Sequence, residues 1–244
     1  MPEIVIVTGA SSGIGAATAR LLGAAGAAVV VNYRGSRDLA ENVVADVKAA
    51  GGRAIAVAAD MGREADIVRL FAETDRAFGP LTGLVNNAAI NTPSPRTIAD
   101  YTFQEIMDIL AVNTAGVLIA CREAVKRMST KHGGKGGSIV NVSSIGALTG
   151  SPGRFIHYGG SKAAVDTMTM GLAAEVVRDG IRVNAIRPGM IDTPMHAKTG
   201  QADRVKESPR RRRSGAPDGR RKSRSRSSGS CPTRPRSSPA RSST

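Results

Sequence analysis

Short apolar runs alternate along the chain with longer stretches whose apolar residues recur every three to four positions. The runs fall at 4–8, 28–33, 53–58, 83–86, 138–143 and 181–186. Each has the length of a strand, and the second, AVVVNY, is apolar nearly throughout, as expected of a strand covered on both faces. Between them the spacing predicts helices: AATARLLGAAG after the first run, a segment reaching about 50, then 64–78 and 103–130. A last one covers 161–177, with Ala164, Val165, Met168, Leu172, Ala173, Val176 and Val177 on its apolar positions. Strands alternating with helices of this length predict an α/β protein built on a doubly wound parallel sheet.

At 244 residues the chain is one domain by length. No apolar stretch reads as long enough to span a membrane and no basic-then-apolar leader opens it, which predicts a cytoplasmic protein. Two cysteines, Cys121 and Cys231, supply no disulfide framework. The net charge of +14 would ordinarily point to nucleic acid or a membrane surface, but it is unevenly spread. From Arg204 onward there are 14 Lys and Arg against 2 Asp and Glu, whereas the preceding 203 residues carry 20 and 18. The predicted globular part is therefore nearly neutral.

Two stretches carry candidate chemistry. After the first strand comes Gly9-Ala-Ser11-Ser12-Gly13-Ile14-Gly15 and then a helical pattern. Glycines there allow a tight turn and a close backbone approach to a pyrophosphate seated at a helix start. Further on, Tyr158 and Lys162 are four residues apart, one turn of a helix, with Ser144 upstream after the strand-like SIVNVS. An ammonium beside a phenol stabilises the phenolate and draws its pKa towards the working range, and a hydroxyl nearby could hold a carbonyl.

Together with Asn86-Asn87-Ala88-Ala89, Asn113 and Pro188-Gly189, these motifs resemble the short-chain dehydrogenase/reductase family, over about residues 4–204. The resemblance implies a single Rossmann-like domain and an oxidoreductase that passes a hydride between a nicotinamide nucleotide and a carbonyl or alcohol, of 3-oxoacyl reductase or sugar dehydrogenase type. It makes Tyr158 the acid or base, Lys162 its activator, Ser144 the group that orients the carbonyl, and Asn113 the support of a proton relay. For the dinucleotide it implies Gly9, Ser11, Ser12, Gly13, Ile14 and Gly15, then Asn32, Tyr33 and Arg34 after the second strand, and Asp60 and Met61 after the third. Asn86 and Ala88 follow the fourth, joined by Tyr158, Lys162, Pro188, Gly189, Ile191 and Thr193. Residues from Met195 to about 207 would form a lid. Ala89 departs from the family's glycine, and Ser144 lies 14 residues before Tyr158 where 13 is more usual. The second strand ends Asn32-Tyr33-Arg34-Gly35-Ser36-Arg37 with no carboxylate before Asp38. Arg34, Ser36 and Arg37 could receive a 2′-phosphate, so NADP(H) is favoured, with NAD(H) the alternative. No metal is expected.

Residues 205–244 break the pattern. After Val205 there is no Val, Leu, Ile, Met or aromatic residue. Such a segment is expected to be disordered, where the family's fold needs another helix and a last strand that also serve its usual homo-oligomer. Read one base out of register, residues 221–244 can restore EEVAESVLWLLSDEASFVTGALLD, which is similar to the family's terminal helix and strand. The expectation is a frameshift product, decided by the nucleotide sequence at those codons. Two rival readings accompany it: a nucleotide-binding remnant that no longer folds stably or catalyses, and nucleic-acid binding through the Arg/Ser tail.

Overall fold

A computed structural model of the chain describes residues 3–93, 95–189 and 191. The elements run β1 (Ile4–Val7), α1 (Gly13–Ala24), β2 (Ala28–Tyr33), α2 (Arg37–Ala49), β3 (Arg53–Ala58), α3 (Glu64–Phe78) and β4 (Gly83–Asn86). They continue with α4 (Phe103–Leu110), α5 (Gly116–Met128), β5 (Gly137–Val142), α6 (Gly146–Thr149), α7 (Ile156–Val176) and β6 (Ile181–Ile186). All six strands pair in parallel, in the order β3-β2-β1-β4-β5-β6. The expected doubly wound sheet is thus present, and the predicted strands match it to within a residue.

Alternation along β1 divides the core. Ile4 and Ile6 face one side, with Ile67, Leu70 and Phe71 of α3, Ala120 and Ala124 of α5 and Val165 of α7. Val5 and Val7 face the other, against Ala16 and Ala19 of α1 and Val43, Val44 and Val47 of α2. Central β2 is covered on both faces, whereas in β6 Ile181 and Val183 are buried and Arg182, Asn184 and Ile186 are exposed. The sequence IRVNAI already carries that alternation.

Two helices depart from expectation. The single helix predicted over 103–130 is α4 and α5 joined by a wide π turn, Ala111–Ala115. The turn brings Asn113 inward, where its amide bonds to the backbone of Ile90. By length and a mean hydropathy of 1.4, the stretch Phe103–Met128 would also suffice to cross a membrane, contrary to the sequence reading. Ala120, Cys121, Ala124 and Met128 of this stretch belong to the core, whereas Phe103, Met107 and Leu118 are exposed. Helix α7 starts five residues earlier than predicted, so Tyr158 lies in its first turn and Lys162 one turn on.

Candidate active site

The strand order reverses between β1 and β4, and a cleft of 840 Å³ opens there at the carboxyl ends of the strands. Gly9, Ser11, Ser12, Gly13 and Ile14 line it. Gly9 and Gly13 have φ of +61° and +58°, backbone that favours glycine. A Cβ on Gly9 would stand 2.9 Å from Ala88 Cα, and one on Gly15 only 2.7 Å from Gly9 O and 2.5 Å from Asn87 Nδ2. Gly15 is therefore buried under the loop rather than on the cleft wall. At the start of α1, Ser12 makes no side-chain cap and the first turn holds no acidic residue. The free N–H groups and the positive end of the helix dipole open onto the cleft, which suits a pyrophosphate.

Short neutral side chains lock this loop to its neighbours. Thr8 Oγ1 accepts the backbone N–H groups of Asn87 and Ala88, each at 2.9 Å. In return Asn87 Nδ2 donates to the carbonyls of Thr8 (2.9 Å) and Gly9 (3.1 Å). Asn32 Oδ1 accepts from Gly9 N–H at 3.0 Å, while its amide donates to Ala59 O at 3.1 Å and Val57 O at 3.3 Å. Here the sequence reading of the asparagine pair is corrected. Asn86 is buried and bonds to Asn141 Oδ1 at 2.9 Å, inside the sheet. Asn87, Ala88 and Ala89 line the cleft instead. The reason is parity: β4 ends at Asn86, so adjacent side chains point to opposite sides.

At the far end of the cleft are Asn32, Tyr33, Arg34, Gly35, Ser36, Asp60 and Met61. Asp60 Oδ1 accepts from Gly62 N–H at 2.9 Å, and its other oxygen lies 4.0 Å from Arg34 Nη1. Arg37 is paired with Glu41 at 3.8 Å and does not line the cleft. Of the basic residues expected there, Arg34 is thus the one that reaches the wall, beside the Ser36 hydroxyl.

The opposite end gathers Ser144, Tyr158 and Lys162. Ser144 Oγ accepts Gly146 N–H at 3.0 Å. Lys162, 2% exposed, donates from Nζ to Val142 O at 2.7 Å and stands 5.9 Å from the centre of the Tyr158 ring. Burial lowers the Lys162 ammonium to about 8, with the Asp166 carboxylate working against it. Burial also raises the Tyr158 phenol, opposed by the Ser144 hydroxyl. Desolvation therefore decides the direction at the phenol, and Lys162, expected to pull it down, is not among the groups that shift it. Behind Lys162, Asp166 is held by Arg187 Nε at 2.7 Å, next to Pro188. Ser143 Oγ donates to Lys162 O at 3.2 Å and so serves the helix.

Asn113 is fully buried. Its Oδ1 accepts from Ile90 N–H at 2.8 Å, and its Nδ2 donates to Ile90 O at 2.9 Å and Ser161 Oγ at 3.2 Å. In this arrangement it braces the segment after β4 from behind and takes no part in lining the cleft. Pro188, Gly189 and Ile191 do line it, whereas Thr193, the lid and residues 205–244 lie outside the described residues. His157 stacks on Tyr101 with ring centres 4.1 Å apart, away from the cleft. Sequence reasoning missed Thr8, Asp166 and Arg187, whereas Asn87 is the turn residue the sequence allows, its side chain satisfying backbone groups. The available signal for Thr8 was a hydroxyl ending an apolar strand just before a glycine.

The sequence pattern of the short chain dehydrogenase family matches residues 3–204. An uncharacterized oxidoreductase of Escherichia coli (strain K12), YgfF, is 46% identical over 208 residues, 84% of each chain. A 3-oxoacyl-[acyl-carrier-protein] reductase of Synechocystis is 37% identical over 193 residues, 79% of this chain and 76% of that one. The crystal structure of a dehydrogenase/reductase from Sinorhizobium meliloti 1021 superposes with a TM-score of 0.74 at 35% identity, covering 79% of this chain and 74% of its own.

Proposed function

The chain belongs to the short-chain dehydrogenase family and is an NAD(P)-dependent dehydrogenase/reductase acting on CH–OH or carbonyl groups; from that premise we propose that it uses NADP(H), with Tyr158, Lys162 and Ser144 carrying the proton chemistry. One observation supports this above the others. Tyr158 and Ser144 both line the cleft, with the Lys162 ammonium 5.9 Å from the Tyr158 ring centre.

A bound nicotinamide nucleotide supplies or takes up the hydride. Ser144 Oγ and the Tyr158 hydroxyl hold the substrate oxygen. In the reducing direction, negative charge grows on that oxygen and the Tyr158 proton moves to it. The phenolate left behind is stabilised by the Lys162 charge, which Asp166 helps to keep on a nitrogen that burial would otherwise strip of its proton. In the oxidising direction the same groups act in reverse. Gly9, Ser11, Ser12, Gly13 and Ile14 would hold the pyrophosphate, and Asn87, Ala88, Pro188 and Gly189 the nicotinamide side. Asn113 positions this wall through Ile90.

The choice of NADP(H) rests on the end of β2, where no carboxylate stands to meet a ribose 2′-hydroxyl and Arg34 and Ser36 line the cleft. The substrate is a small carbonyl or alcohol; the 3-oxoacyl type named for the Synechocystis relative is one class within that reading. The test is a thermal-shift titration with NADPH and NADH, followed by a carbonyl screen on the full chain and on Tyr158→Phe. A larger stabilisation by NADPH, with reduction lost in the variant, is expected. Equal stabilisation by NADH would overturn the cofactor choice, and undiminished turnover by Tyr158→Phe would overturn the role of the tyrosine.

A further inference from the structure

Ser151 is the one residue other than glycine, among those described, with a positive φ, +48°. An L side chain there costs about 1–2 kcal/mol, and this turn uses glycine at its other left-handed positions, Gly150 and Gly153. Retaining a side chain in such backbone is common where that side chain is used.

The surroundings say for what. A Cβ on Gly146 would lie 2.9 Å from Ser151 Oγ, 3.3 Å from Ser144 Oγ and 3.8 Å from Tyr158 Cε1. The absence of that one methyl lets the three groups close around a single point, and all three residues line the cleft. The hydroxyls at this end are otherwise engaged. Ser143 donates to Lys162 O, Ser144 accepts from Gly146 N–H, and Thr149 Oγ1 accepts from Ser151 N–H at 3.5 Å. Ser151 Oγ makes no hydrogen bond among the described residues. Meanwhile its backbone carbonyl accepts Phe155 N–H at 3.1 Å and fixes the turn.

We propose that Ser151 is a specificity residue that binds an oxygen on the carbon next to the reacting one, so that the substrate is an α-hydroxy carbonyl and its reduced form a vicinal diol. This rests on the reading above, in which Ser144 and Tyr158 hold the reacting oxygen. Because Ser151 Oγ borders the same point as Ser144 Oγ, it meets a second oxygen only if that oxygen is close to the first.

The test measures NADPH-dependent reduction of 2-butanone, 1-hydroxy-2-butanone and 4-hydroxy-2-butanone by the full chain, by Ser151→Ala and by Ser151→Gly. Glycine removes the hydroxyl while relieving the backbone, so its fold is not at risk. In the wild type, kcat/KM should favour 1-hydroxy-2-butanone over 2-butanone by about three- to tenfold, the worth of one neutral hydrogen bond. Both variants should bring that ratio close to one, mainly through KM, whatever happens to 2-butanone itself. A ratio that survives in both variants overturns the proposal, as does a Ser151-dependent preference for the 4-hydroxy ketone or no preference in the wild type. Failure of the underlying reading looks different: none of the three ketones is reduced, or Tyr158→Phe reduces them as well as wild type, and the inference falls with it.

Discussion

In the β1–β3 wing the groups facing the cleft are mostly backbone N–H groups, glycines and short neutral side chains, joined at the far end by Tyr33, Arg34, Asp60 and Met61. The wing formed by β4–β6 and α7 presents a phenol, a nearly inaccessible ammonium and several hydroxyls. The first wing is sandwiched between helices on both faces; in the second, β6 is buried on one face and exposed on the other. A rigid, doubly covered support suits a task of shape, in which a loop must come close to an anion without side chains in the way. The other task is chemical, and its groups are set by burial and hydrogen bonds that shift where protons reside. Substitutions should therefore fail sterically in one wing and chemically in the other.

The largest expected effect lies in the chemical wing. Tyr158→Phe should lower turnover by roughly a hundredfold or more, while NADPH affinity measured by calorimetry stays within a few-fold. A matching collapse of affinity would erase the distinction between the wings. Lys162 offers a second test, through stability. Its folded pKa of about 8 lies below its ordinary 10.5, so between these values the unfolded chain binds more protons. Wild-type stability should then rise as pH increases through that window, by up to about 3 kcal/mol, and Lys162→Met should lack the rise. Urea midpoints at pH 7.5 and 10 report it.

In the steric wing, Gly15→Ala puts a methyl against Gly9 O, a backbone atom that cannot step aside. A loss of about 1–3 kcal/mol of stability is expected, together with at least about tenfold weaker NADPH binding. If the variant binds normally yet turns over slowly, the loop is not the steric element described. The smallest effect belongs to Arg34→Ala. The guanidinium is exposed and only loosely paired with Asp60, so stability should move by less than about 1 kcal/mol. The ratio of NADPH to NADH affinity should fall by about three- to tenfold, read by titrating both nucleotides.

Legibility in the sequence followed the same division. AVVVNY and IRVNAI announce a strand covered on both faces and one covered on one, and the spacing of glycines before a helix announces the loop. The pairing of Tyr158 with Lys162 was visible from a helical period. What was not legible depends on contacts distant in sequence. Adjacent asparagines at 86 and 87 are alike in type, and only the end of β4 decides which faces the cleft. Asn113 reads as a polar residue in an apolar helix. That it bonds both backbone groups of Ile90, and Ser161 Oγ besides, follows from a π turn that no local pattern encodes. The direction of the Tyr158 shift was also hidden, because desolvation is set by the whole fold around a side chain.

The junction of the two wings is closed by Thr8 and Asn87, neither of which carries a charge. Bonds of that kind do not weaken with ionic strength, and no member of the set gains or loses a proton across the range in which Lys162 does. The register between the nucleotide loop and the end of β4 is therefore insulated from the acid–base state of the site beside it. An enzyme that runs oxidation and reduction at different pH values keeps the same cradle for both.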